Sequence, residues 1–228
     1  MAIGLIILLA ILGLAMLPQM WVQRVLARHS AERADFPGTG GEFARHILDE
    51  MKLGHVKVEE TTLGDHYDPA AKTVRLSPKH FNGNSLTAVV VAAHEVGHAM
   101  QDATGYRPLV ARTRLARQAQ WIERMGAIVM LTAPFVMALV KAPVVIFLQI
   151  AAGLLILSST VLMHVFTLPV EFDASFRRAL PVLKAGRYID EADMRSARQI
   201  LRAAALTYVA AAGMSLLDVM RWFRVLRP

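Results

Sequence analysis

The segment His94-Glu95-Val96-Gly97-His98 restricts the fold of this chain more than any other, because it carries three chemically active side chains. Its surroundings, residues 85–101, are rich in alanine, so the segment is predicted to be helical. Residues four apart share a helix face, so His94 and His98 can bind one metal ion together. Glu95 is rotated by about 100°, which lets it take a proton from water beside the ion. The pattern therefore predicts a zinc hydrolase that acts on peptide bonds.

The same residues also fit an ordinary half-buried core helix. Val90, Val91 and Gln101 lie on the face that carries the two histidines, as they would on any amphipathic helix. Two histidines and one glutamate can occur at this spacing by chance. A third metal ligand is needed to decide between the two interpretations.

Composition limits both the class of protein and the kind of metal site. The chain has 228 residues, is 55% hydrophobic and has a mean hydropathy of +0.41, which predicts membrane segments. It has no cysteine, so zinc has to be bound by histidine and carboxylate groups. The net charge is +7, and the arginines lie mostly beside apolar runs. This arrangement predicts contact with a lipid bilayer and no binding of nucleic acid.

Three apolar stretches predict an integral membrane protein that is mainly α-helical. Residues 1–23 are uncharged and lack the features of a cleaved signal peptide, so they are predicted to form an N-terminal transmembrane helix. Residues 125–167 predict a transmembrane helical hairpin, with a large hydrophobic core as the alternative. Residues 203–228 are predicted to form an apolar helix, which is buried, interfacial or transmembrane, and a basic tail. Together these stretches predict a multi-pass cell-membrane protein. Arg24 and Arg28 follow the first span, so the catalytic domain after it is predicted to be cytoplasmic.

Residues 24–124 are interpreted as the first part of a metallopeptidase domain. Strands are predicted at 55–60 and 73–77, and the segment 65–69 between them is predicted to be a turn or an extended loop. A small sheet just before the metal-binding helix could add a peptide substrate to its edge.

Residues 168–202 are interpreted as the second part of that domain, with Glu171 as the candidate third ligand. Pro169 suits the first turn of a helix, and Glu171 falls in the same turn. A hairpin that leaves the domain and returns can bring this carboxylate to the two histidines. Acidic residues are also favoured in a first turn by the helix dipole, so the residues alone leave both interpretations open.

Five motifs, taken together, resemble one known family. They are DHYDP (65–69), RLSP (75–78), AAHEVGHAMQ (92–101), LPVEFDAS (168–175) and ALTYVAAA (205–212). Their order over nearly the whole chain resembles the bacterial membrane zinc metallopeptidases of the YugP type. More distantly, the layout is similar to the CAAX-prenyl and heat-shock membrane proteases of the gluzincin group.

The resemblance implies a zincin-like metallopeptidase domain with a transmembrane hairpin inserted between the HExxH helix and the third-ligand helix. It implies one Zn²⁺ per chain, bound by His94, His98 and Glu171, with Glu95 as the catalytic residue. Ser175 stands where the gluzincin group usually has aspartate. The usual carboxylate that supports a zinc ligand is therefore missing from that position.

The expected function is a membrane-bound zinc endopeptidase whose substrates are peptides or membrane-associated proteins near the membrane surface. Tyr67 and His66 are the preferred candidates for binding substrate or stabilising the oxyanion. Three other candidates are His164, Tyr208 and Arg178. Two alternatives remain open, an intramembrane protease of the site-2 type and a non-catalytic scaffold stabilised by zinc.

Overall fold

The computed structural model describes residues 2–139 and 166–207 and, between these ranges, residues 144, 147, 148, 151, 152 and 163. Seven helices and three strands lie in this part of the chain. They are α1 (Ala2–Arg28), α2 (Gly40–Glu50), β1 (Lys57–Glu60), β2 (His66–Asp68), β3 (Thr73–Leu76), α3 (Pro78–Phe81), α4 (Leu86–Ala103), α5 (Arg107–Leu139), α6 (166–185) and α7 (Met194–Ala205).

Helix α4 lies at the centre of the fold. It begins at the N-cap Ser85, whose hydroxyl accepts a hydrogen bond from the Ala88 amide at 3.2 Å. From Leu86 to Ala99 every residue is buried, because α2, β3, α6 and α7 pack around the helix. Several of the largest fully buried apolar side chains come from these elements: Ile47, Leu48, Val74, Leu76, Val90, Val96, Leu183, Ile200 and Leu201. The segment His94–His98 is thus on the most enclosed helix of the described chain.

The sheet has three short strands in the order β1-β3-β2. β3 lies in the middle, parallel to β1 and antiparallel to β2. Two hydrogen bonds of Asp65 fasten the start of β2 to the beginning of α3, since its Oδ1 accepts from the Ser77 amide at 2.7 Å and its Oδ2 lies 2.7 Å from His80 Nδ1. At the other end of β2, Asp68 pairs with Arg75 of β3.

Helix α6 changes its hydrogen-bonding pattern along its length. Its backbone is α-helical over residues 166–172, π-helical over Asp173–Ala179 and α-helical again over Leu180–Ala185. The amide of Leu180 donates to the carbonyl of Ser175, five residues earlier. Single π-helical turns of this kind occur often at functional sites.

The prediction of an integral membrane protein is wrong for the described part of the chain. No helix there is both long enough and apolar enough to cross a membrane, and this includes α1, which covers residues 2–23 of the segment 1–23 predicted to be an N-terminal transmembrane helix. A crossing helix needs about 20 consecutive apolar residues. In α5, which runs unbroken from Arg107 through the predicted boundary at residue 124, charged residues continue as far as Arg124.

Several other boundary predictions fall outside the described residues. Most of the second arm of the hairpin predicted over 125–167 is not described, and neither are residues 208–228 of the C-terminal segment. Helix α7 ends at Ala205. The cytoplasmic placement of the catalytic domain stays a prediction.

Candidate metal centre

The two histidines of α4 project from the same side of the helix. His94 and His98 are one helical turn apart, and their rings meet edge to face with centroids 4.8 Å apart. Both side chains are buried, and each points its Nε2 atom at one carboxylate.

That carboxylate belongs to Glu171, in the α-helical first part of α6. Its Oε2 atom lies 3.2 Å from the Nε2 atoms of His94 and His98, and the side chain is only 1% exposed. Two atoms bound to one tetrahedral zinc at 2.0–2.2 Å would lie roughly 3.3–3.6 Å apart. The structure therefore brings the three residues together at a spacing that suits a shared zinc ion.

The other nitrogen of each histidine ring has its own hydrogen-bond partner. His98 Nδ1 lies 2.9 Å from Gln101 Oε1. The Gln101 amide nitrogen donates to Val170 O at 2.8 Å and to Asp173 Oδ2 at 2.9 Å, which fixes its oxygen as the atom facing His98. His98 Nδ1 is therefore the donor, and Nε2 is left with its lone pair towards Glu171.

Ser175 fixes the ring of His94 in the same way. Its hydroxyl donates to the carbonyl of Leu201 at 3.2 Å and lies 2.9 Å from His94 Nδ1, so it accepts a hydrogen bond from that nitrogen. The Nε2 lone pair of His94 is then also directed at Glu171. Ser175, which stands where the gluzincin group usually has aspartate, thus supports His94 directly.

Electrostatics shows why these residues fit a metal ion. With both Nδ1 atoms acting as donors, two imidazole lone pairs and one carboxylate oxygen face each other at hydrogen-bond distance. Such a cluster of acceptors is repulsive unless a positive charge lies among them. Two imidazoles and one carboxylate, with no thiolate, form a donor set typical of catalytic zinc.

Comparison of the sequence with known proteins also indicates a zinc site. A family described as "Putative neutral zinc metallopeptidase" matches residues 4–227. YugP of Bacillus subtilis (strain 168), named a "Putative membrane protease", is 36% identical over 219 residues, which is 95% of this chain and 93% of the relative. No solved structure matches the chain.

The chain belongs to this zinc metallopeptidase family. Within this family member, Glu95 lies beside the two histidines on α4 and is 6% exposed. Burial is the main cause that raises the pKa of its carboxyl, to about 8, and the charges of Asp65 and Glu171 act in the same direction. The positive charge of His94, when its ring is protonated, and that of Arg112 oppose the rise. A carboxyl with a raised pKa is suited to accept a proton near neutral pH.

Glu171 shows the opposite shift. Burial alone would raise the pKa of its carboxyl, but His98 and His94, when their rings are protonated and donate to Oε2, outweigh burial and hold the pKa below its usual range. The pKa values of the two glutamate carboxyls are therefore shifted in opposite directions. Glu171 stays ionised, as a metal ligand must, whereas Glu95 can gain and release a proton.

The two preferred candidates for the oxyanion site, Tyr67 and His66, lie on β2. The hydroxyl of Tyr67 donates to Asp102 Oδ2 at 2.6 Å, and Lys72 contacts the same oxygen at 2.6 Å. Burial and the nearby Asp102 raise the pKa of Tyr67 above its usual range. This tyrosine therefore fastens the sheet to the end of α4. His66 lies 2.8 Å from the Gly64 carbonyl, and its role stays a prediction.

Of the three other candidates for the oxyanion site, one is paired with a carboxylate and two are not described. Arg178 donates to Asp173 Oδ2 at 2.8 Å, and the same oxygen accepts a hydrogen bond from the Gln101 amide. Arg178 therefore helps to hold the partner of Gln101 in place. His164 and Tyr208 lie outside the described residues.

Sequence reasoning missed two contributors to the site, Gln101 and Arg112. The spacing of Gln101, three residues after His98 on the same helix, could have revealed it. Arg112 Nη1 lies 3.5 Å from Glu171 Oε1. The two residues are 59 positions apart, so no local sequence pattern predicts this contact.

Proposed function

We propose that the protein is a zinc-dependent endopeptidase. The observation that carries this proposal is the convergence of His94, His98 and Glu171 beside the buried Glu95. Zinc, when bound to such a site, polarises a peptide carbonyl and makes water a stronger nucleophile at neutral pH. One ion per chain is proposed, since the described residues offer one cluster of this kind.

Different side chains are proposed for binding the metal ion and for transferring the proton. His94, His98 and Glu171 would hold the ion, and Ser175 and Gln101 would keep the two rings in the required tautomer. Glu95 would take one proton from the attacking water and pass it to the nitrogen of the leaving amine. The raised pKa of its carboxyl suits this exchange.

The substrate class follows from the proposed chemistry and from the relative. Glu95 and the zinc ligands act on the peptide bond itself, so the substrate is a peptide or an unfolded protein segment. The relative is named a membrane protease. We propose membrane-associated proteins as the natural substrates of this chain as well.

The decisive variant is Glu95→Gln. It keeps the shape of the side chain but removes the proton acceptor, so we expect full zinc content and at least a 10²-fold loss of casein cleavage. Zinc is measured by elemental analysis and cleavage with fluorescently labelled casein. The exposed Glu32→Gln is the matched control and should behave as wild type.

Two outcomes would count against the proposal. If Glu95→Gln cleaves casein at the wild-type rate, Glu95 is not the proton acceptor. If the wild-type protein binds one zinc ion but leaves casein and an unbiased peptide library intact, the ion is structural and the protein is a scaffold.

A further inference from the structure

A groove with a basic lining lies between the end of α6 and the exposed face of α7, and it encloses about 1240 Å³. Its basic lining residues are all exposed, and they are Lys184, Arg187, Arg195, Arg198 and Arg202. Its acidic lining residues are Asp190 and Glu191, so the groove carries a net positive charge. We call this surface the basic groove.

Three of these arginines project from one face of α7. Arg195, Arg198 and Arg202 are separated by three and four residues, which places them on the same side of the helix. The other side carries the buried Ile200 and Leu201 and packs against α4. A helix face in water needs polar residues, but it does not need three like charges, because these repel one another. Exposure alone therefore does not explain why all three are arginine.

The basic side chains of the groove have no carboxylate partner in the part of the chain that the structure describes. Other described arginines have such partners, for example Arg45 with Asp49. Asp193, directly before α7, is already paired with Arg33. The positive charge of the basic groove is therefore left for a negatively charged partner.

The shape and lining of the basic groove favour one kind of partner. Pockets for small ligands usually enclose about 300–1,000 Å³, and the groove is larger than this. None of its described lining residues is aromatic, whereas single-stranded nucleic acid is usually held by stacking on aromatic rings. None is a large exposed apolar residue, whereas helices that bind a lipid surface combine such residues with basic ones. A polypeptide segment with acidic side chains fits best.

The spacing of the arginines suits an extended segment. In an extended chain, alternate side chains point to the same side and are about 6.6–6.8 Å apart. Arg198 and Arg202 are about 6 Å apart along α7, and the three arginine positions together cover about 10 Å. A guanidinium can hold a carboxylate through two parallel hydrogen bonds. Carboxylates on alternate residues can therefore contact successive arginines of this face.

We propose that the basic groove binds an extended segment of another protein in which glutamate or aspartate occupies alternate positions. The guanidinium groups of Arg195, Arg198 and Arg202 contact the carboxylates of that segment. The basic groove is separate from the candidate metal centre, since Glu171 and Lys184 are 13 residues apart on α6, or about 20 Å along the helix. Binding at the groove is therefore independent of zinc and of the endopeptidase function proposed above.

The test measures how tightly the full-length protein binds a rhodamine-labelled peptide that alternates glutamate and serine. Fluorescence anisotropy gives the Kd, and a peptide of equal length that alternates glutamine and serine is the uncharged probe. We expect the wild-type protein to bind the glutamate peptide and not the glutamine peptide. Because salt screens exposed charges, binding should weaken as NaCl is raised from about 50 mM to about 500 mM.

The groove variant combines Arg195→Gln, Arg198→Gln and Arg202→Gln. It should raise the Kd of the glutamate peptide by about 10-fold, since each exposed ion pair contributes little and three are removed together. The matched control removes the same charge from exposed positions of α5, through Arg107→Gln, Arg114→Gln and Arg117→Gln. Its Kd should stay near the wild-type value. Circular dichroism should show the same helix content in both variants, because every substituted residue is exposed.

Four results would overturn the proposal. The wild-type protein does not bind the glutamate peptide at low salt. The groove variant binds it as tightly as the wild-type protein, so that the peptide is held elsewhere. The control variant loses as much affinity as the groove variant, so that only net charge is involved. Phosphatidylglycerol vesicles bind in place of the peptide and are lost in the groove variant, so that the partner is a lipid surface.

Discussion

Each histidine of the candidate metal centre is supported by a neutral side chain. Ser175 accepts from His94 and Gln101 accepts from His98, where a carboxylate is a common partner in zinc sites. The nearest carboxylate behind them, Asp173, contacts Gln101 and Arg178 and reaches His98 only through the glutamine amide. The imidazoles therefore gain a fixed orientation and less added negative charge than a carboxylate partner would supply.

Removing one of these neutral partners should weaken zinc binding without removing a ligand. For Ser175→Ala we expect a 10–100-fold loss of zinc affinity, because His94 loses the acceptor that holds its tautomer and ring orientation. Competition with a chromogenic chelator measures the change. Ser196→Ala is the control, because Ser196 lies on α7 and its hydroxyl makes no hydrogen bond within the described chain. Equal affinities in the two variants would contradict the proposed role of Ser175.

At the scale of elements, the decisive contact is the close approach of α4 to the π-helical part of α6. A Cβ atom placed on Gly97 would lie 2.6 Å from the Ala174 carbonyl oxygen, which is closer than any real contact. Gly97 therefore allows the backbone of α6 to lie directly against α4. This contact brings Glu171 and Ser175 to the two histidines, and it explains the glycine inside the HEVGH motif.

Gly97→Ala tests this contact. Alanine favours a helix by about 0.5–1 kcal/mol over glycine, so a gain in stability would be expected if nothing lay nearby. Because the neighbour is backbone, we expect instead a loss of about 1–3 kcal/mol in the free energy of unfolding, together with weaker zinc binding. Urea denaturation and chelator competition measure the two effects.

Gly54→Ala is the control for that variant. Its added Cβ would meet only Asp49 Oδ1, at an ordinary distance of 3.7 Å. A stability gain in Gly97→Ala equal to or larger than that in Gly54→Ala would show that α4 and α6 are not in tight contact.

The elements that local patterns encode could be predicted from the sequence. Helix α4 was predicted from its composition and spacing, and the pieces at 55–60 and 73–77 contain β1 and β3. Strand β2 was missed, because the segment 65–69 has the composition of a turn. Its extended form depends on contacts with α3 and α4 that are distant in sequence, through Asp65 and Tyr67.

The candidate site was predictable only in part for the same reason. The spacing of His94 and His98 is a local property of a helix, whereas the position of Glu171 depends on how α6 packs against α4. The residues alone left Glu171 open, and the resemblance to a known family selected it. The structure brings the three side chains together, and their role as ligands stays a prediction until zinc is measured.

At the scale of the whole molecule, the metal site joins two distant parts of the chain. His94 and His98 lie 77 and 73 residues before Glu171, and both Gln101 and Ser175 bridge the same boundary between α4 and α6. A bound ion would therefore stabilise the packing of these two helices as well as the local site.

Removing zinc should lower the melting temperature. Binding to the folded state alone at a free zinc concentration 100 times Kd stabilises it by about 2.7 kcal/mol. For a domain of roughly 200 residues this corresponds to about 5–11 °C in Tm. Thermal unfolding with and without a chelator measures the shift, which added zinc should reverse. The Tm of His98→Ala should not change when the chelator is added. If the wild-type Tm does not change either, the ion does not contribute to stability.

The distance between the two halves of the site also affects how the protein is made. A ribosome adds about 5–20 residues per second, so the 73 residues between His98 and Glu171 take about 4–15 s to appear. During that interval α4 exists without its third ligand. If the proposed function is correct, a chain with this order of ligands is inert while it is being translated, and it becomes able to cut proteins only after Glu171 has emerged.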